Sequence, residues 1–425
     1  MPVAIKINPK DNVVVALHPI AKGTAVPVDG ASVTAVEDIP LGHKMAIAPI
    51  HAGENVIKYG FPIGHATADA VPGTWMHTHN VKTNLSGEIE YSYHPNVHPL
   101  APVAPETFMG YRRKDGRAAT RNEIWIIPTV GCVNDCAKAL VRDNQDLVTG
   151  TIDGLYTFPH PFGCSQTGED HAQTRKLLAA LVRHPNAAAV LVLGLGCENL
   201  THEQFLEELG DYDKDRVKFL ICQEAEDEFS EGRELLKQCA EYASQFKREP
   251  IPVSELVIGM KCGGSDGLSG ITANPAVGRF SDMMAARGGS TVLTEVPEMF
   301  GAEGFLMNRC VNETVFEKAV DMINGFKNYF ISHNEVVYDN PSPGNRQGGI
   351  TTLEDKSCGC VQKGGTAPIM DVIGYGDPVT AKGLNMLYGP GNDLVSATAM
   401  TAAGAHMILF TTGRGTPFGA PAPTL

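Results

Sequence analysis

The sequence predicts an α/β protein that begins with a small all-β domain and continues into a larger region with a mostly parallel sheet. The first observation is an arrangement that occurs five times between Asn122 and Ala285, in which an apolar strand-like segment leads to a cysteine and then to a helix-like segment. Alternating strands and helices are typical of parallel sheets. The second observation is that roughly the first ninety residues contain short β-like runs separated by Gly, Pro and Asp turns.

The five cysteines of this arrangement stand at predicted strand ends, where parallel sheets bind ligands. Cysteines at several such ends can converge on one metal ion or iron–sulfur cluster. Glycine directly precedes Cys132, Cys164 and Cys197, and glycine lets the backbone approach a ligand closely. We therefore predict that these three are the metal ligands. Cys262 is a reserve candidate, whereas Cys222 has no adjacent glycine and is predicted to lie in the core.

The composition argues against several classes of function. The 425 residues are 43% hydrophobic and 19% charged, with a net charge of −14, which disfavours nucleic acids and anionic membranes as partners. No apolar run has the length of a membrane span, and the N-terminus lacks the apolar core of a signal peptide. Ten cysteines without an export signal indicate the reducing cytoplasm. A homo-oligomer is compatible with these features.

Changes in pattern divide the chain into four segments. We predict a β domain over residues 1–94, a proline-rich connector over 95–107, an α/β domain with the strand-end cysteines over 108–248, and a second, catalytic α/β domain over 249–425. The connector contains four prolines, and prolines at that density favour an extended spacer.

The segment GTWMHTHNVKTNL contains the catalytic candidates of the β domain, His77, His79 and Lys82. On a strand, two residues that lie two apart point to the same face. Histidine can act as acid or base near neutral pH, and two histidines with a carboxylate can also bind a metal ion. His43 and His65, each beside a glycine turn, could join the pair. The alternative is a pair of surface histidines near a domain edge.

Glycine-rich polar loops recur in the second half, among them KCGGSDGLSGITANP, NPSPGNRQGGITTLEDKSCGC and TTGRGTPFG. Such loops expose backbone N–H groups that can bind an anion, although turn chemistry alone explains many of them. Neither a P-loop nor a GxGxxG motif is present, so nucleotide binding is unsupported. We predict that the loops bind a polyhydroxylated substrate with a carboxylate. The predicted binding residues are Ser265, Asp266, Thr272, Asn274, Lys356 and Arg414.

Several long motifs together resemble the altronate/galactarate dehydratase family, which also includes two-part sulfolactate sulfo-lyases. They are GHKMAIAPIHAGENVIKYGFPIG, HTHNVKTNL, RNEIWIIPTVGCVN, FGCSQTGEDH, RHPNAAAVLVLGLGCEN, CGGSDGLSGITANP, TEVPEMFGAE, NPSPGN, GGITTLEDKS and FTTGRGTP. The resemblance spans essentially the whole chain. It implies a β-clip domain of the SAF type followed by an α/β catalytic part. Similar enzymes continue beyond FTTGRGTPFGAPAPTL, so we expect that part of the last domain is missing.

The resemblance also implies an activity, namely dehydration of D-altronate to 2-dehydro-3-deoxy-D-gluconate in galacturonate breakdown, with iron or manganese required. The HTHN segment favours the altronate branch over galactarate dehydratases. Galactarate dehydratase and sulfolactate sulfo-lyase activity are the alternative activities. A metal-storing or sugar-acid-sensing protein is the non-enzymatic alternative, and no helix-turn-helix output module supports it.

Two metal sites suit this chemistry, in which a metal stabilises an enediolate and a base removes a proton. The three strand-end cysteines could hold an iron–sulfur cluster with one iron open to substrate. Alternatively, His77, His79 and a carboxylate could bind a single iron or manganese ion. We favour the cysteines, with His77 or His79 then acting as acid or base across a domain interface.

Overall fold

The computed structural model describes residues 2–86 and 89–425, and it confirms the predicted fold class. A strand-rich N-terminal region is followed by two parallel sheets flanked by helices. The strands of the N-terminal region are all short and antiparallel. They are β1 (Ala4–Ile5), β2 (Val13–Ala16), β3 (Ala25–Val28), β4 (Ala31–Thr34), β5 (Lys44–Ala46), β6 (Asn55–Lys58), β7 (Phe61–Ala66), β8 (Trp75–Met76) and β9 (Val81–Lys82).

These strands form sheets in the orders β1-β2-β5-β8, β6-β7-β9 and β3-β4. Two hairpins have two-residue turns in which both residues have positive φ, Asp29-Gly30 (50° and 81°) and Tyr59-Gly60 (61° and 78°). Such turns match the right-handed twist of the flanking strands. The second turn places the Tyr59 side chain in the protein interior, where 6% of it is exposed.

The middle of the chain forms an antiparallel sheet and the first parallel sheet. The antiparallel sheet, in the order β11-β10-β16, consists of β10 (Thr107–Arg112), β11 (Ala118–Ala119) and β16 (Arg248–Pro252). The parallel sheet, in the order β13-β12-β14-β15, consists of β12 (Glu123–Pro128), β13 (Gly154–Thr157), β14 (Ala187–Gly194) and β15 (Val217–Ile221). The associated helices are α1 (Asn134–Asp143), α2 (Gly168–Arg183), α3 (His202–Leu209) and α4 (Glu228–Ala243). All residues of β14 are buried, as expected of a central strand covered on both faces.

The last part of the chain forms the second parallel sheet, in the order β19-β20-β18-β17-β21. Its strands are β17 (Val257–Gly263), β18 (Ser290–Leu293), β19 (Ile369–Ile373), β20 (Gly383–Leu387) and β21 (Met407–Thr412). Its helices are α5 (Ala273–Ala286), α6 (Glu303–Leu306), α7 (Glu313–Ser332), α8 (Pro343–Gln347), α9 (Leu353–Cys360) and α10 (Asp393–Ala402). The described residues 95–106 form neither helix nor strand and run along this part, where Asn96 N donates to Asn308 O.

The N-terminal β region shares a hydrophobic core with the second parallel sheet and its helices. Ile63 and Met76 belong to the same buried cluster as Phe300, Met322 and Leu384. Burial of this apolar surface holds the β region against the loops at the carboxyl ends of β17 and β18.

The two parallel sheets meet at the amino ends of their strands. Asn186, just before β14, donates to the carbonyl of His406, just before β21. His406 Nδ1 accepts a hydrogen bond from Val257 N. The proton of the neutral ring is therefore on Nε2, which donates to Ala118 O. In each parallel sheet, the carboxyl ends of the strands therefore point away from this junction. The predicted site residues of the two sheets lie at these carboxyl ends.

Candidate active site

A narrow cavity lies between the β region and the loops of the second parallel sheet. It encloses about 10 Å³, roughly the space of one water molecule. Its lining is mostly polar and consists of Lys58, Tyr59, Ser265, Asp266, Ser269, Gly270, Asn274, Ile350, Asp355, Lys356, Gly359 and Cys360. Four of the six predicted substrate-binding residues, Ser265, Asp266, Asn274 and Lys356, are thus in one place.

Three glycine-rich loops touch each other beside this cavity. Gly267 N donates to Gly348 O at 2.7 Å. A Cβ atom on Gly267 or on Gly349 would clash with the carbonyl oxygen of Gly42. These glycines therefore allow three backbone segments to pack together, which explains part of the glycine content that the sequence suggested for anion binding.

A buried carboxylate joins the β region to α9. Asp355 accepts hydrogen bonds from Lys44 at 2.7 Å and from Lys58 at 2.9 Å. Burial alone would raise the pKa of Asp355, but the two ammonium groups outweigh it and hold this pKa below its ordinary value. Burial lowers the pKa of Lys44 to about 8, partly opposed by Asp355. The three charges are buried together at the domain junction.

His77 and His79 lie in a turn between β8 and β9, so the prediction that they share one face of a strand is wrong. Asn80 stabilises this turn, because its side chain accepts from His77 N at 2.9 Å and donates to Trp75 O at 3.0 Å. His77 is 8% exposed, whereas His79 is exposed and contacts the Trp75 ring. Lys82, the third predicted catalytic residue, is also exposed.

His77 faces the loop that borders the cavity. Its Nδ1 is 3.1 Å from the hydroxyl of Thr351, whose backbone N donates to Asp355. Burial, together with the nearby Lys44 and His43, lowers the pKa of His77 to about 3. His77 is therefore a neutral imidazole near neutral pH.

His43 and Arg414 are held by the same glutamine. Trp75 Nε1 donates to His43 Nδ1 at 3.1 Å, so the proton of the neutral ring is on Nε2, which donates to Gln347 O at 3.2 Å. Arg414 donates to Gly344 O at 2.7 Å and to the side-chain oxygen of Gln347 at 3.3 Å. The end of β21 is thereby connected to the β region through α8.

A group of metal-ligating side chains lies directly behind the cavity. Cys262 Sγ is 3.4 Å from both Glu298 Oε2 and Cys360 Sγ. The potential ligand atoms of Cys262, Glu298 and Cys360 all lie within 4.8 Å of one another, and all three residues are buried. Two thiolates and one carboxylate are a suitable donor set for a transition-metal ion. This group can therefore hold a metal ion.

Lysines balance the negative charge of this group. Lys363 donates to Cys262 Sγ at 2.7 Å and to Glu295 at 3.2 Å, and Lys356 pairs with Glu298 at 2.8 Å. Burial opposes ionisation of Glu298, but Lys356 and its neighbours hold the pKa of this carboxyl below its ordinary value. Burial, together with the charge of Glu298, raises the pKa of Glu295.

The remaining predicted residues have local partners. Thr272 is exposed and its hydroxyl donates to Leu268 O, so it does not line the cavity. Asp266 accepts from the backbone N atoms of Leu268 and Ser269, and Asn274 donates to Gly359 O. Asp266 and Asn274 therefore also shape the loops that form the cavity.

The three cysteines predicted as metal ligands lie elsewhere, at the carboxyl edge of the first parallel sheet. Cys132, Cys164 and Cys197 follow β12, β13 and β14, and all three are exposed. Within residues 2–86 and 89–425, no hydrogen bond or ion pair connects them to the cavity. The described contacts of these cysteines also do not include His77 or His79, which were predicted to act with them across a domain interface. That the three cysteines bind a metal remains a prediction.

Three family models match consecutive parts of the chain. The SAF domain of altronate/galactarate dehydratases matches residues 2–84, the second domain of D-galactarate dehydratase/altronate hydrolase matches 110–244, and the C-terminal D-galactarate/altronate dehydratase domain matches 253–425. The chain belongs to the altronate/galactarate dehydratase family.

Within this family, the chain is 53% identical to the altronate dehydratase of Escherichia coli (strain K12) over 99% of its own length and 86% of that relative. It is also 53% identical to the altronate dehydratase of Bacillus subtilis (strain 168), over 99% of its length and 85% of the relative. The L-threo-forming galactarate dehydratase of E. coli (strain K12) is 33% identical over 98% of this chain and 82% of the relative.

Among residues 2–86 and 89–425, no helix combines the length and the apolar character that a membrane-spanning helix requires.

For this family member, the sequence did not predict Glu298, Cys360 or Lys363 as site residues. Cys360 stands in a Cys-x-Cys pair with Cys358, and Glu298 is one of several acidic residues beside the glycine-rich loops. These were the available signals, but a Cys-x-Cys pair and a single glutamate do not by themselves predict a metal site. The Cys262–Glu298–Cys360 group forms only when β17, the turn after β18 and α9 come together.

Proposed function

We propose that this chain catalyses the dehydration of D-altronate to 2-dehydro-3-deoxy-D-gluconate in the cytoplasm, as a step of galacturonate breakdown. The observation that carries the proposal is the 53% identity to two altronate dehydratases over nearly the whole chain, against 33% to a galactarate dehydratase. All ten cysteines are free thiols, which agrees with a reducing compartment.

Electrostatics favours the cavity at the β region as the substrate site. Its lining contains the ammonium groups of Lys58 and Lys356 as well as the carboxylates of Asp266 and Asp355, and Arg414 follows Gly413, which packs on Asp266. An anionic sugar acid could therefore pair with ammonium groups there. A larger cavity of about 200 Å³ lies at the first parallel sheet, but its lining includes Glu198, Glu203 and Glu224 and contains neither Lys nor Arg. A carboxylate would be repelled there.

Substrate binding at the favoured cavity requires a movement of its walls. The present space of about 10 Å³ is too small for a six-carbon acid, since ligand pockets usually have several hundred Å³. The contacts that close it are the loop contacts around Gly42, Gly267 and Gly348. We infer that these loops separate when the substrate enters.

The reaction removes the proton from C2, next to the carboxylate, and the hydroxyl group from C3, and the resulting enol becomes the 2-keto acid. His77 is neutral and lies beside the cavity, so we assign it as the group that takes the C2 proton. A substrate carboxylate nearby would raise the pKa of His77 and make it a better base. The ammonium of Lys356 is placed to stabilise the negative charge that develops on the substrate.

The metal implied by the family resemblance would be held by Cys262, Glu298 and Cys360. Thiolate donors favour iron over manganese, so we propose iron. When bound, the metal supplies Lewis acidity to substrate oxygens. Cys360 and Lys356 both line the cavity, so this group borders the substrate site directly.

A panel of substrates tests the activity. Keto-acid formation is measured with D-altronate, galactarate and sulfolactate under anaerobic conditions with added ferrous iron. We expect the highest kcat/KM with D-altronate. A higher kcat/KM with galactarate or sulfolactate would overturn the proposal.

The metal assignment is tested separately with serine variants. After loading with ferrous iron in the absence of sulfide, Cys262→Ser and Cys360→Ser should retain much less iron than the unmutated chain. Cys358→Ser is the matched control, because Cys358 is buried in the hydrophobic core two residues before Cys360. Equal iron binding in all three variants would show that this group is not the iron site.

A further inference from the structure

The exposed cysteines of the first parallel sheet lie at the ends of three neighbouring strands. The sheet order β13-β12-β14 places Cys164, Cys132 and Cys197 side by side along its carboxyl edge. Their exposure is unusual, because cysteine is among the most frequently buried residue types. The location is distinct from the sugar-acid cavity.

Hydrogen bonds join the three cysteine loops to one another. Gly131 N, next to Cys132, donates to Phe162 O at 2.8 Å. Ser165 N, next to Cys164, donates to the side chain of Asn199 at 2.7 Å. The hydroxyl of Thr129 donates to Glu198, next to Cys197, at 2.8 Å. Each loop is therefore bonded to both others directly beside the cysteines.

The glycines before the cysteines make this close packing possible. A Cβ atom on Gly131 would be 2.8 Å from His160 O, and one on Gly163 would clash with Thr129 O. Gly163 and Gly196 have φ values of 97° and 121°, which side chains rarely adopt. The glycines before the cysteines thus allow the three cysteine loops to pack against one another.

The spacing of the thiols distinguishes between kinds of metal centre. In the described part of the chain, only Cys262, Glu298 and Cys360 have all their ligand atoms within 4.8 Å of one another. Cys132, Cys164 and Cys197 do not form such a group, so at least one pair of their sulfurs is more than 4.8 Å apart in the absence of a bound cluster. A cluster of several irons bridges a wider gap, and cysteine thiolates are its usual ligands.

We propose that Cys132, Cys164 and Cys197 together bind an iron–sulfur cluster, separate from the metal site at the sugar-acid cavity. On transfer of a preformed cluster, each thiol releases its proton to water, each sulfur forms one bond to iron, and the ligands of the donor leave. The cluster links the three loops covalently. Exposure of the sulfurs permits this transfer without unfolding.

The test uses the full chain, reconstituted anaerobically with ferrous iron and sulfide. Acid-labile sulfide and visible absorption are measured, because a mononuclear iron site contributes no labile sulfide. Cys132→Ser, Cys164→Ser and Cys197→Ser should each lower labile sulfide at least tenfold. Cys222→Ser is the matched control, since Cys222 follows β15 of the same sheet but is half-buried beside Cys136.

A second measurement uses the unmutated chain and does not depend on the folding of variants. Alkylation followed by mass spectrometry should show that the three thiols become protected together on reconstitution. The proposal is overturned if the loaded chain lacks labile sulfide, if any of the three serine variants retains it, or if alkylation is unchanged. These readouts are independent of D-altronate turnover, so failure here leaves the proposed activity standing.

Discussion

The ammonium group of Lys363 lies 2.7 Å from the sulfur of Cys262, and both side chains are almost completely buried. Lys363 also pairs with Glu295. Such charges remain in a protein interior only when they are paired, because desolvation of an unpaired charge is costly. Cys262 is also a member of the Cys262–Glu298–Cys360 group. A metal ion at this group and the Lys363 ammonium would therefore neutralise the same sulfur.

Substituting Lys363 should consequently change metal binding as well as stability. Without metal, Lys363→Met should lower the free energy of unfolding by about 3–5 kcal/mol, as expected when one partner of a buried pair is removed. Ferrous iron should then raise the Tm of this variant more than that of the unmutated chain, because it no longer competes with the ammonium. Anaerobic thermal denaturation with increasing iron measures both effects.

The control is Lys237→Met, which removes an exposed lysine paired with Glu234 on the surface of α4. This change should alter neither stability nor the iron-dependent shift appreciably. An iron-dependent shift that is smaller in Lys363→Met than in the unmutated chain would contradict the competition.

Asp355 should make the docking of the β region sensitive to acid. Its pKa is below the ordinary carboxyl value of about 3.9, so ionised Asp355 stabilises the fold above that pH. This stabilisation is lost as pH falls below about 4, when unfolding becomes coupled to proton uptake. Asp355→Asn should lower the free energy of unfolding at pH 7 and reduce its dependence on pH in the acid range. Urea denaturation at several pH values measures this.

A suitable comparison is Asp377→Asn, which removes a half-exposed partner of Lys176. Its effect on the pH dependence should be small, because water screens this pair. If Asp355→Asn and the unmutated chain had parallel stability profiles between pH 7 and pH 3, the buried Lys44–Asp355–Lys58 group would not control acid lability.

His77 and His79 should differ in their effect on turnover. His77→Gln should lower kcat for D-altronate about 100-fold or more, within the usual range for loss of an acid–base group. His79→Gln should retain most of the activity, since His79 is exposed and its described contact is with the ring of Trp75. Steady-state kinetics of both purified variants provide the comparison.

The pH dependence of kcat/KM adds an independent check on His77. Burial lowers its pKa to about 3, so in the free enzyme His77 should not titrate near the ordinary histidine value of about 6.5. A loss of kcat/KM with an apparent pKa near 6.5 that disappears in His77→Gln would contradict the lowered pKa of His77 in the free enzyme, although it would still identify His77 as the base.

The sequence was a good guide to the sheets because their signals are local. The five apolar segments before the cysteines correspond to β12, β13, β14, β15 and β17, and Cys262 lies within the last of these rather than after it. The same reasoning failed at HTHN. Asn80 bonds back to His77 N and Trp75 O and bends the chain, and this turn overrides the alternating pattern.

The buried charges were harder to predict because their partners are distant in sequence. Every residue of α9 is buried, although LEDKSCGC has the composition of an exposed helix. Asp355 is paired with Lys44 and Lys58, some three hundred residues earlier in the chain, and Cys360 meets Cys262 from β17. Only the tertiary fold creates these environments, so composition and periodicity cannot reveal them.

Arg414 should contribute to substrate binding more than to stability. It is exposed, and its guanidinium already donates to Gly344 and Gln347 at the border of the cavity, so its orientation is fixed. Hydrogen bonds to a charged group are worth about 1.5–3 kcal/mol, which corresponds to roughly 10- to 150-fold in affinity. Arg414→Gln should therefore raise the KM for D-altronate at least tenfold with little change in Tm.

Two further variants separate charge from geometry at this position. Arg414→Lys keeps the charge but not the planar fork, so its KM should lie between those of Arg414→Gln and the unmutated chain. Arg279→Gln removes an exposed arginine from α5 and should leave KM unchanged. If Arg414→Gln lowered kcat without affecting KM, Arg414 would act in the chemical step, and its assignment to carboxylate binding would be wrong.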